Sequence, residues 1–263
     1  MTWHRIRALM MRHLYLYKRS AARLMDIFYW PVLELLLWGF VSVYLDKLNL
    51  SGVNIFTVIL GALFLWDIFG QSQRAVAFAF MEELWEKNLL NLFVTPLKES
   101  EFLASTAILG IVRIVMVGSV LAILSFLFYK FNIFTLGFSL IPFFINLLIF
   151  GWTLGIFAMA AILRFGSAAQ VFSFGVTFLI QPFSAVFYPV TALPESIRWI
   201  SYLIPSTYVF EGMRAVISTG SLPSNMLVGA IASNVVYFVL VVWLFYAMLA
   251  RVKRKGLLMK LDY

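Results

Sequence analysis

Six runs of seventeen to twenty-seven residues carry almost no charge, and they constrain this chain more than any other feature. They extend over Ile27 to Leu45, Val53 to Phe69, Phe102 to Phe128, Phe138 to Leu163, Val171 to Val190 and Met226 to Ala250. A helix rising 1.5 Å per residue crosses ~30 Å of hydrocarbon in about 20 residues, so each run has the length of a membrane span. A lipid-exposed backbone must satisfy its polar groups within its own segment, and the alternating ten-residue strands of a barrel are not seen. With 63% hydrophobic and 12% charged residues and a mean hydropathy of +0.95, the chain lies beyond the ~45–50% apolar share of soluble domains. An all-α integral membrane protein follows, with residues 27–263 forming one six-span domain.

An even number of spans returns both termini to one side. With that side inside, fifteen of the twenty Lys and Arg lie in internal segments, four lie outside, and Arg113 lies within a span. Basic residues are retained on the cytoplasmic face, so N- and C-termini are expected in the cytoplasm of a multi-pass cell-membrane protein. The net charge of +8 then points to anionic lipid headgroups and needs no nucleic acid to explain it.

Residues 1–26 read as an amphipathic helix lying in the interface. Trp3, Ile6, Met10, Leu14, Tyr17, Ala21 and Leu24 share one face, and Arg5, Arg12, Arg19, Arg23 and Asp26 fall roughly opposite. The chain has no cysteine, and His4 and His13 read as surface histidines and not as a metal pair. No glycine is followed by lysine, so the sequence holds no GxxxxGK[ST] phosphate loop, and no bound cofactor is expected.

Five of the twelve carboxylates crowd between Glu82 and Glu101, in the first long connection on the internal side. Met81, Leu84, Trp85, Leu89, Leu92 and Phe93 recur at three- and four-residue intervals, which predicts a helix over 81–94 with Glu82, Glu83, Glu86, Lys87 and Asn91 facing away. Thr95-Pro96 stops it, because proline lacks an amide donor and restricts the residue before it. Apolar anchors ringed by charge fit a groove on a partner protein; a merely solvated charged face is the alternative.

The run WEKNLLNLFVTPLKESEFLAS resembles the coupling region of type-2 exporter permeases of ABC transporters, and FYPVTALPESIRWISYLIPSTYVFEGMRAVI is similar to that family's segment between its fifth and sixth spans. The stretch EELWEKN departs from the family's usual E-R-E-x-G-T start. The resemblance implies a permease that is not itself an enzyme. It would pair with a second permease copy, as a homodimer or heterodimer, and dock a separate ATP-binding cassette ATPase subunit. Glu82, Glu83, Glu86, Lys87, Asn88 and Asn91 would face that ATPase, with Pro96 fixing the exit of the helix. The cargo would be bulky and amphipathic: a lipid-linked glycan, a lipid or a hydrophobic drug.

Residues 191–217 hold two helical patterns too short to cross a bilayer, and a re-entrant external hairpin is expected there. Pro194 suits the start of one helix and Pro205 breaks the chain between them, while Glu211 and Arg214 stand three apart, able to pair. By resemblance, Pro194, Pro205, Tyr208, Glu211 and Arg214 belong to an outer gate. Glu34, Asp67 and Arg113 fall in the inner half of the spans and are expected to form one buried cluster. That cluster is read either as a structural ion pair or as the relay of an ion-coupled secondary transporter, the rival to ATP-driven export. A membrane-embedded lipid-modifying enzyme ranks last, since neither histidine pairs with a carboxylate at helical spacing.

Overall fold

The computed structural model describes residues 2–48 and 55–256. Val53, where the second span is expected to begin, and the basic Lys260 lie outside the described residues, as do the side chains of Asp26 and Phe93. Among the described residues ten α-helices follow in order: α1 Trp3–Arg19, α2 Ala21–Lys47, α3 Ile55–Trp85, α4 Leu89–Val94, α5 Glu99–Tyr129, α6 Ile141–Phe165, α7 Val171–Ile180, α8 Glu195–Leu203, α9 Pro205–Thr219 and α10 Ser224–Arg254. Short 3-10 turns join several of them, and no strand occurs among the described residues.

The N-terminal helix is shorter than the 1–26 expected. Ser20 is extended at φ −126° and ψ 104°, and its hydroxyl accepts from the Arg23 amide at 3.3 Å, so it caps a new helix. Ala21 and Leu24 therefore belong to α2. Pro31 lies inside α2 and cannot donate to the Ile27 carbonyl; Gln71 of α3 reaches that freed oxygen with its side-chain amide at 3.5 Å.

Among the described residues five helical stretches are long and apolar enough to cross a membrane: Ala21–Lys47, Ile55–Trp85, Glu99–Tyr129, Phe138–Phe183 and Ser224–Arg254. The fourth is 46 residues long, about twice what a single crossing needs. It breaks at Gly166, whose φ of 70° and ψ of −152° suit a residue without a Cβ. Beyond the break Phe172 meets Phe157 edge to face at 5.9 Å, so α7 turns back along α6. Gln73 of α3 ties α7 down, donating to the Ser173 carbonyl at 3.2 Å and accepting from the Thr177 hydroxyl at 3.3 Å. The run expected to be helical from Val171 to Val190 is α-helical only to Ile180; Pro182 removes an amide donor, and Ala185 turns the chain at φ 52°. Whereas the apolar run ends at Phe69, α3 continues to Trp85 and carries Arg74 as a helical residue.

Small residues let α3 and α6 approach closely. A Cβ on Gly151 would lie 2.7 Å from the Phe69 carbonyl oxygen, and one on Gly155 2.9 Å from that of Gln73. On its other side α6 is clasped to α10, where the buried Asn234 amide donates to the Asn146 backbone and side-chain oxygens at 2.9 and 3.0 Å. One apolar cluster, including Phe80, Phe102 and Phe245, fills the end where α1, α4 and the last turn of α10 meet. A second, including Phe69, Phe143 and Phe210, fills the opposite end beneath α8 and α9.

Candidate functional site

At the basic end, α3 closes on a turn and not on the continuous 81–94 helix expected. The Asn88 amide donates to the Glu83 carbonyl and the Lys87 amide to the Leu84 carbonyl, both at 2.9 Å, with Lys87 left-handed at φ 53°. This double closure is the Schellman arrangement, here with lysine where glycine is usual. The Asn88 side-chain amide adds a bond to Glu83 Oε2 at 2.7 Å. The chain then restarts as the six-residue α4 and leaves through Thr95, whose hydroxyl donates to the Leu92 carbonyl at 2.6 Å.

Two of the three carboxylates of this elbow, Glu82 and Glu83, are not on its outer face. Glu83 is 0% exposed and Glu82 8%, because α1 lies across them. Arg12 donates to Glu83 and, at 2.7 Å, to Glu86, while Arg23 stands 3.5 Å from Glu82 and 3.7 Å from Glu86. Burial works against the Arg12 charge, yet the Glu83 bond and the charges of Glu83 and Glu86 outweigh it and raise its pKa. His13 is 1% exposed, with Nδ1 3.1 Å from Glu82 Oε2 and Nε2 3.8 Å from Glu83. The surface placement expected of it is therefore corrected; His4 is exposed. The face of α1 turned inward carries Ile6, Leu9, His13 and Tyr17, and Trp3 points out.

A second clamp holds the start of α5. Glu101 is fully buried and accepts from the Thr2 amide at 2.7 Å, the Thr2 hydroxyl at 3.1 Å and the Lys98 amide at 3.1 Å, with Arg5 at 3.5 Å. Arg5 also donates to the Pro96 carbonyl, and Lys253 of α10 pairs with Glu99. The elbow is thus held by α1 and α10, and the residues left facing outward are Trp85, Glu86, Lys87, Asn91, Val94, Thr95 and Pro96, with Asn88 half-buried. Sequence reasoning found the turn-forming Pro96 and the outward Lys87 and Asn91, and missed Arg12, His13, Arg23 and Thr2. The available signal was arithmetic: five carboxylates need partners, and α1 supplies its basic side chains nearby.

No direct salt bridge joins Glu34, Asp67 and Arg113 among the described residues, although Asp67 feels the charges of both Glu34 and Arg113. Asp67 lies 3.4 Å from the Gln71 side-chain nitrogen and 3.9 Å from Arg74, and both Glu34 and Asp67 sit in the field of Arg74. Arg113 is buried over the Tyr17 ring, 5.8 Å from its centroid. Burial raises the Tyr17 phenol above its ordinary pKa, with Arg113 pulling the other way.

At the far end the expected pair is present, Arg214 donating to Glu211 at 2.9 Å. Glu211 also accepts from the Val190 amide at 2.7 Å, and Arg214 donates to the Ala185 and Val186 carbonyls at 2.7 and 3.2 Å. Pro194 precedes α8, Pro205 opens α9, and the Tyr208 hydroxyl donates to the Tyr202 carbonyl at 2.8 Å.

Residues 4–218 match the model of the ABC-2 type transporter family. The chain is also 24% identical over 202 residues to the inner membrane transport permease YadH of Escherichia coli K12, covering 74% of this chain and 76% of that protein. The YadH of Shigella flexneri matches to the same extent.

Proposed function

The chain belongs to the ABC-2 type transporter family, and on that premise we propose that it is the membrane-spanning subunit of an ATP-driven exporter whose ATPase is a separate polypeptide. In this reading the chain crosses the membrane six times. The long Phe138–Phe183 stretch counts as two passes, and both termini are cytoplasmic. Six passes put all fifteen of those internal Lys and Arg on one side. A second permease copy completes the assembly, and the cargo is bulky and amphipathic.

One observation carries the proposal: the elbow at residues 86–96 is rigidly clamped on its inner side and open on its outer side. The Lys87 turn and α4 present Glu86, Lys87, Asn91 and Pro96 outward, with Trp85 and Val94 as apolar anchors between them. Such a mixed patch suits a groove on a soluble partner. The clamp gives the patch a mechanical role. A push on α4 passes to the end of α3, where Glu83 is tied to Arg12 of α1 and Glu82 stands by Arg23 of α2, and to α5, whose start α4 joins to α3. α8 and α9, pinned by Glu211 and Arg214, form the outer gate that this motion opens. Ion-coupled transport through Glu34, Asp67 and Arg113 is less well supported, because Arg113 contacts Tyr17 and Asp67 contacts Gln71 and Arg74.

Purification in mild detergent from native membranes tests this. A phosphate-loop ATPase should accompany the wild-type chain, and Lys87→Glu with Asn91→Ala should weaken its retention at least about tenfold, the loss of about 1.4 kcal/mol. Transport that survives ATP depletion, with no ATPase retained, would sink the proposal.

A further inference from the structure

A lateral groove of about 560 Å³ opens between α5 and α6, with α3 as its floor. Its walls are Phe64 and Ile68 of α3, Ile114 and Gly118 of α5, and Ile141 and Phe144 of α6. Asp67 is the one charged residue among those that line it. The volume is that of a drug-sized ligand site, which typically holds about 300–1,000 Å³. Asp67 lies twelve residues, or about 18 Å, along α3 from Ile55 and two residues before the apolar run ends at Phe69, so the carboxylate stands near the inner edge of the hydrophobic stretch.

Two features of this site point to the charge of its occupant. Asp67 is 7% exposed, and its contacts with Gln71 and Arg74, at 3.4 and 3.9 Å, are both longer than the ~2.7–2.9 Å of a charge-assisted hydrogen bond. An ionisable side chain so placed is costly and marks a site by default. Phenylalanine rings also line the groove beside it, and their faces attract cations. A lipid acyl chain would fill the space but leave the carboxylate against hydrocarbon, and a phosphate-bearing headgroup would be repelled.

We propose that the groove between α5 and α6 binds amphipathic cations, the positive group at Asp67 and the apolar body along α5 and α6 toward the far end. This deepens the export reading by naming a substrate class, and it rests on that reading only for the direction of travel. Binding itself is measurable with no ATPase present.

The experiment is equilibrium binding of radiolabelled tetraphenylphosphonium to the purified chain in nanodiscs of zwitterionic lipid, with triphenylphosphine oxide as an uncharged competitor. The wild type should bind saturably, and the uncharged competitor should displace little. Asp67→Asn should weaken binding by about tenfold or more. Gly118 lines the groove and a Cβ there meets nothing within 4 Å, so Gly118→Phe has room to branch from the helix, and its ring should fill the groove and abolish binding. This second variant keeps the test valid if Asp67→Asn does not fold. The absence of saturable binding overturns the proposal, as does unchanged binding in Gly118→Phe. Loss in Gly118→Phe with full binding in Asp67→Asn, or equal displacement by the neutral compound, overturns the cationic class.

Discussion

Glu83→Ala is expected to lower stability by about 3 kcal/mol, the lower end of the cost of breaking a buried ion pair. Glu83 is wholly buried and accepts from Arg12 and from the Asn88 side chain, with His13 Nε2 3.8 Å away. Removing it unties both the left-handed turn and α1, leaving His13 its bond to Glu82. Solvent reaches Arg12, whose side chain is 31% exposed, and that keeps the cost from the upper end. Glu83→Gln should cost less, since its amide oxygen still accepts from Asn88. The measurement is the apparent unfolding temperature in detergent, joined to a distance between spin labels on α1 and α4. The chain has no cysteine, so Arg7→Cys with Asn91→Cys places labels at two chosen sites. Glu83→Ala should broaden that distance distribution. A narrow, unshifted one would show that α1 is held by something other than this carboxylate.

Gly151→Val should be at least as damaging, at about 3 kcal/mol or more. The added Cβ would stand 2.7 Å from the Phe69 carbonyl oxygen and would overlap the Ser72 hydroxyl. A side-chain tip can rotate away, but the backbone of α3 cannot, so α3 and α6 must separate. Overpacking of this kind costs about 1–3 kcal/mol where side chains give and more where backbone is struck. Gly118→Ala is the control: its Cβ points into open space, and the helix gains by losing glycine, so stability should hold or rise by about 0.5 kcal/mol. Thermal unfolding of the two variants in the same detergent settles the comparison. Equal tolerance would mean that α3 and α6 do not approach as closely as described.

What was legible beforehand was what periodicity and punctuation encode. The apolar runs marked α2, α3, α5, α6 and α10 because hydrophobic length is a local property. Pro194 and Pro205 marked the two short helices, and the three-residue spacing of Glu211 and Arg214 marked their pair, since such neighbours meet on any helix. What escaped was set by contacts between distant segments. Glu82 and Glu83 have the polarity of surface residues and are buried only because α1, some seventy residues upstream, brings Arg12 and His13 over them. The Lys87 turn gave no sign either, because a lysine occupies the left-handed position where glycine or asparagine would have signalled a helix end. Arg113 was matched to carboxylates by depth along the spans, yet its contact is with a tyrosine ring on α1. The early end of α7 reflects Pro182 inside an otherwise apolar run, which composition averages away.

The most direct test of the central claim, that the elbow is the seat of a separate motor, is site-specific crosslinking. Lys87→Cys creates a sole thiol on the exposed turn, and Trp199→Cys creates one on α8, where the native side chain is 61% exposed. Each is loaded with a photoactivatable crosslinker in native membranes, and the products are identified by mass spectrometry. The account predicts that Lys87→Cys captures a phosphate-loop ATPase, with a yield that changes when ATP is added, while Trp199→Cys does not. Capture of no ATPase at Lys87→Cys, or labelling of that thiol by a membrane-impermeant reagent from outside intact cells, would contradict it.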